Sequence, residues 1–166
     1  IRLIDAFGGQ KAHLPVPAPR VGIATDAVAR ARAFVKDTGR KMGTTPPTAA
    51  RLSVVSTQLQ TMRIQVRERA KYYNYLVSQP DGGLEVLASV DFAVQSNHLK
   101  LAASELVAEI CTQALRITGT TGYRNDSPYS VTRNLRDAHS AALMIGNERI
   151  HAGNGQLHMM YRDEAL

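Results

Sequence analysis

Five histidines, one cysteine and fourteen carboxylates are the groups here that could move protons, attack carbonyls or ligate metals. His13 is a competent base near neutral pH. It lies beside two prolines, where a solvated loop histidine is the ordinary reading. His98, His139, His151 and His158 do not make a metal motif. His151 and His158 are seven apart and would share a helix face, but no cysteine or carboxylate completes a set, so no metal is expected. Cys111 alone excludes an internal disulfide and, in an apolar run, reads as a small buried thiol. Tyr72, Tyr73 and Tyr75 would spread around a helix and read as packing residues. The remaining feature is ALRITGTTGYRND, residues 114–126, where an apolar helical run breaks on glycines and threonines. Read plainly, Gly119 is a helix C-cap in the left-handed region, with Arg116 on a solvated face.

The chain has 166 residues, enough for one domain with a real core, and a net charge of +6. A basic balance favours an anionic partner: nucleic acid, a phosphate ligand, a CoA-like molecule or an anionic membrane. The charges are dispersed, with no block of consecutive Lys or Arg, which argues against nucleic acid. No segment suits a membrane span and no basic-then-apolar leader is present. The default is a soluble, cytoplasmic protein without nucleic-acid or membrane partners. The start at Ile1 rather than Met reads as part of a longer protein or as missing ends.

The elements that would position these residues are helical. In residues 51–77, Leu52, Val55, Leu59, Met62, Val66, Ala70, Tyr73 and Val77 recur at steps of three and four, one stripe on a helix. Thr45-Pro46-Pro47 is a start signal, with a hydroxyl available for capping. Pro80-Asp81-Gly82-Gly83 marks a turn. The next helix is expected to start between Leu84 and Ser89 and to reach about Thr118. Its Leu101, Ala103, Leu106, Val107, Ile110, Cys111, Leu115 and Ile117 cannot share one narrow face, so it is expected to be covered on several sides. An earlier helix opens at Pro19 and ends near Gly39. A last helix covers Val131 to Ala142 and continues from about Asn147. The expectation is an all-α, antiparallel up-and-down four-helix bundle over residues 19–166. Residues 1–18 are a lead-in, expected to end a preceding domain.

On that architecture three segments carry a resemblance. VGIATDAVARARAFV (21–35), ALRITGTTGY (114–123) and RNLRDAHSAALMIGNERI (133–150) resemble, in order and spacing, the C-terminal α-helical domain of the acyl-CoA dehydrogenase superfamily of flavoproteins. The resemblance implies FAD as cofactor and a homo-oligomer, dimer or tetramer, or a related flavoprotein subunit as partner. It also implies an acyl-CoA or acyl-carrier-protein thioester as substrate, dehydrogenated between its α and β carbons. Gly119 and Gly122 match glycines that lie against FAD of a neighbouring subunit. Thr120 stands where the family usually has glycine, and Arg116 where it has glutamine. Glycines permit close approach of backbone to phosphate, and arginine pairs with it in bidentate fashion. Arg40 in TGRKMG resembles an arginine that reaches FAD phosphate, although the family's phenylalanine is missing. Gly146 and Asn147 match part of the family's last motif and are counted with the cofactor-binding residues. Arg136-Asp137 resembles the family's Arg-Asp dipeptide and reads as a charge pair fixing the loop against the bundle.

The catalytic base is absent from its family position. Abstraction of an α-proton needs a carboxylate within hydrogen-bond reach, and the position that resemblance assigns to a glutamate is Ile145. Glu148, three residues on, and His13, near where some relatives carry the base, are weak candidates. The base then comes from elsewhere in the protein or a partner, and this chain alone is expected to be inactive. Two alternatives remain. One is a reduced-flavin-dependent monooxygenase of the same superfamily, which needs no such glutamate. The other is a non-catalytic helical oligomerisation module that would purify colourless.

Overall fold

A computed structural model describes residues 17–144 and 146–159. His13 and Ile145 lie outside the described residues, as does most of the lead-in. The order is α1 (Pro17–Met42), α2 (Ala49–Val77), the single turn α3 (Leu84–Leu87), α4 (Val90–Tyr123), α5 (Thr132–Leu143) and α6 (Asn147–His158), with no strand among the described residues.

Cross-links fix the directions. The Arg63 guanidinium donates to Thr25 Oγ1 at 2.9 Å, and Arg69 to Ser96 Oγ at 3.1 Å. Arg20 and Ser104 both donate to the carbonyl of Ala141, at 3.0 and 3.3 Å. At the other end the Tyr129 hydroxyl donates to Asp37 Oδ2 at 2.5 Å. Thus α1 and α4 run one way and α2 and α5 the other, an up-and-down four-helix bundle.

Pro17 and Pro19 occupy the first turn of α1, where a helix has no use for their missing N–H groups. Ala24, Ala27, Val28, Ala31 and Val35 then bury one stripe. They meet Val55, Leu59 and Met62 of α2 and Val107, Ile110, Cys111, Ala114 and Ile117 of α4. As its broad apolar pattern requires, α4 touches every other helix. It starts at Val90, where Ser89 Oγ accepts from the Phe92 N–H at 3.1 Å. The residues expected to open it form the separate turn α3, which begins after Gly83 in the left-handed conformation.

Three local expectations fail. No hydroxyl caps α2: Thr48 is itself helical in φ/ψ, without a side-chain cap bond, and a turn bond from the Ala49 N–H to the Pro46 carbonyl at 3.0 Å does that work. The α2 stripe also shifts after Met62. Ala70, Tyr73 and Val77 are exposed while Leu76 is buried. Arg69 replaces aliphatic contact there, lying 4.1 Å over the Phe92 ring and donating to the Phe92 carbonyl at 2.8 Å. Such a cation over an aromatic face holds two helices together with little aliphatic surface. The packing expected of the tyrosines fails for Tyr75, which is 60% exposed.

Candidate functional site

The break in α4 is a single residue. Gly119 has φ 58° and ψ −144° inside an otherwise helical run, a combination nearly restricted to glycine. A Cβ on Gly119 would meet nothing within 4 Å, so the glycine serves the backbone and the space beside it is open. Gly119 and Thr120 are exposed. Gly122 is buried and is needed for a different reason, since a Cβ there would fall 1.8 Å from Thr118 Oγ1. Thr118, buried itself, donates that hydroxyl to the Ala114 carbonyl at 2.9 Å.

The loop beyond is pinned to the bundle. The Val131 N–H donates to the Gly122 carbonyl at 2.9 Å. The Tyr129 ring meets Phe34 edge-on at 5.6 Å, and its hydroxyl bond to Asp37 raises the Tyr129 pKa. Asp37 also accepts from Arg40 Nη1 at 3.2 Å. These links carry the loop to the C-terminal end of α1, where an open groove of about 550 Å³ runs past Lys36, Gly39, Arg40, Gly43 and Thr44. Arg40 is 79% exposed despite its pair with Asp37. Arg116, one turn before the bend, is exposed and makes no hydrogen bond or ion pair among the described residues.

The candidate residues therefore divide. Arg40, Arg116, Gly119, Thr120 and Gly122 gather at one end. Gly146 and Asn147 lie at the other, about 26 Å away along α1 by the rise between Arg20 and Asp37. Gly146, φ 36°, accepts from the N–H groups of Arg149 and Ile150, and Asn147 opens α6. Glu148 is exposed in the first turn of α6. Arg136 and Asp137 do not fix the loop. They pair at 3.5 Å with Arg136 78% exposed, while Tyr129, Phe34 and Val131 hold the loop instead.

Sequence reading missed the polar interior at the second end. Lys100 is fully buried and donates Nζ to Asn147 Oδ1. Arg20 is 3% exposed. Asn97 Nδ2 donates to Asn154 Oδ1 at 2.8 Å, and His98 and His158 meet through their Nε2 atoms at 3.3 Å. A signal was present: Asn97, Lys100 and Ser104 extend, at steps of three and four, the buried line through Val107 and Cys111. Burial pushes the Cys111 thiol up to about 12, leaving it no nucleophilic role.

The longest helix of this all-helical bundle is thus bent at an exposed glycine, and the exposed Arg40 and Arg116 lie at the same end. Among the described residues no group of three or more His, Cys, Asp or Glu could hold a metal, and no helix is long and apolar enough to cross a membrane. Residues 16–159 match the family described as acyl-CoA dehydrogenase, C-terminal domain, and the chain belongs to that family. No curated protein matches the sequence.

Proposed function

We propose that this domain serves an FAD-dependent oxidoreductase that dehydrogenates an acyl thioester between its α and β carbons. The observation that carries the reading is the exposed Gly119 bend in a chain of this family. The residues present fit an anionic group there: an open backbone at Gly119, a hydroxyl at Thr120 and the uncommitted Arg116 guanidinium. Arg40 adds a second cation at the same end. Bidentate arginine contacts to phosphate are strong and directional. The bound FAD supplies the redox chemistry, and the chain's residues orient it. Arg116 and Arg40 would hold the diphosphate, while Gly119 lets the chain approach it closely.

Proton abstraction is assigned elsewhere. Ile145 cannot accept a proton, and Glu148, three residues on, is exposed in the first turn of α6. The remaining walls of the site, including the base, are assigned to other parts of the protein or to a partner subunit, with a homo-oligomer as the working assembly. A second reading, a reduced-flavin-dependent monooxygenase, draws on that same isoleucine.

The test is to purify the full-length protein, titrate FAD and follow flavin absorbance and fluorescence, then add acyl-CoA with an artificial electron-accepting dye. Saturable uptake and thioester-dependent dye reduction support the dehydrogenase reading. Oxygen consumption fed by NADH and reduced flavin, without dye reduction, favours the monooxygenase. A protein that stays colourless and takes up no FAD refutes both.

A further inference from the structure

Three side chains from two helices converge on the junction between α5 and α6. Lys100 Nζ donates to Asn147 Oδ1, Arg20 donates to the Ala141 carbonyl at 3.0 Å, and Ser104 donates to the same carbonyl at 3.3 Å. Ala141 lies in the last turn of α5, where carbonyls lack helical partners and the helix dipole is negative. Cations are at home there, but burying them is not cheap. Lys100 is fully buried, and no carboxylate among the described residues pairs with it. Burial, and then the charge of Arg20, push its amine below the usual lysine range.

A methionine could fill the same space without a desolvated charge, and such replacements are often neutral or stabilising. Stability therefore does not explain Lys100. The junction itself offers a better reason. Leu143 is 80% and Met144 59% exposed, and Gly146 adopts a positive φ, so among the described residues 143–149 no buried apolar side chain anchors the turn before Ile150 in α6. The bonds from beneath are what the described residues offer to hold it.

We propose that Lys100 is a positioning residue: through Asn147 it sets the place of the Gly146–Asn147 turn, and so of the start of α6, relative to the bundle. What that turn faces rests on the flavin reading above; the positioning stands on the bonds.

The experiment measures amide hydrogen exchange by mass spectrometry in the wild-type protein, Lys100→Met and Asn147→Asp. In Lys100→Met, exchange in peptides covering 142–150 should accelerate about ten-fold while α1 and α2 keep their protection and the melting temperature holds. Asn147→Asp keeps an acceptor for the ammonium and should keep the junction slow. Unchanged exchange at 142–150 in Lys100→Met overturns the proposal, and so does acceleration spread evenly over the bundle. Should Lys100→Met fail to fold, Asn147→Ala serves in its place: it should loosen the same peptides, and a junction as slow as wild type overturns the proposal. FAD titration of the wild type is read separately. A loosened junction in a protein that takes up no FAD keeps the positioning role and retires the flavin reading.

Discussion

The two ends of the bundle treat their cations in opposite ways. At the Gly119 end the cations are exposed: Arg40 keeps 79% of its side chain in solvent, and Arg116 has no partner among the described residues. At the α5–α6 end Lys100 and Arg20 are buried and bonded to a side-chain amide and a backbone carbonyl. Both glycines of the break lie at the first end, where Gly119 opens the backbone to solvent and Gly122 makes room for the protein's own Thr118. An exposed cation can be neutralised by a ligand. A buried one has already been committed to internal geometry. The first end is thus the one proposed for recognition, and the second the one proposed to set where the last helix begins.

The largest effect should come from breaking the committed end. Asn147→Leu strips a buried ammonium of its acceptor and should cost about 3 kcal/mol at pH 7. Burial already lowers the folded-state pKa of Lys100, and losing the Asn147 acceptor lowers it further, so the variant sheds the buried charge at a lower pH than the wild type. The penalty should therefore shrink as pH rises toward about 10. Urea titrations of variant and wild type at pH 7 and pH 9.5 check this. Cys111, whose raised pKa takes stability away above about pH 9, cancels in the difference.

Next come the glycines, which sharpen the contrast between backbone and space. Gly119→Ala should cost about 1–3 kcal/mol through backbone strain alone. Gly122→Ala should cost a similar 1–3 kcal/mol by overpacking against Thr118. Crystal structures would separate the causes: a shifted Thr118 side chain in the second variant, an altered bend in the first.

Tyr129→Phe should destabilise less than either, since the edge contact with Phe34 survives. Tyr129 has a raised pKa, so the contribution of its hydroxyl is present below the unfolded tyrosine value and is lost as pH rises through the folded one. The difference between Tyr129→Phe and wild type should accordingly vanish in strong alkali, which thermal melts across that range would show. Arg136→Ala, which removes a long and exposed ion pair, should change stability by less than about 0.5 kcal/mol.

Much of the fold was legible because apolar spacing records it directly. The stripe of Ala24, Ala27, Val28, Ala31 and Val35 and the broad apolar surface of α4 both sit where the sequence pattern places them. The failures have physical causes. The second half of α2 was expected to pack through Tyr73 and Val77, but an arginine over Phe92 took that role, and periodicity in apolar residues does not register a cation as core. The bend was legible from Gly119 and Gly122, though not the division of labour between them, which depends on where Thr118 points. Asp37–Tyr129 joins residues 92 positions apart, and no local pattern foretells such a bond. Lys100 was overlooked because a lysine at a core position reads as a break in the stripe, not as part of it.

The most direct test of the division between the two ends is a pair of FAD titrations, on wild type and on Arg116→Glu, followed by flavin fluorescence. Arg116 is exposed and unbonded among the described residues, so reversing its charge should leave the fold intact. If the Gly119 end receives the flavin's phosphates, the wild type should saturate and Arg116→Glu should bind at least about ten-fold more weakly. Equal affinity in both proteins, or no saturable uptake by the wild type, would contradict the assignment.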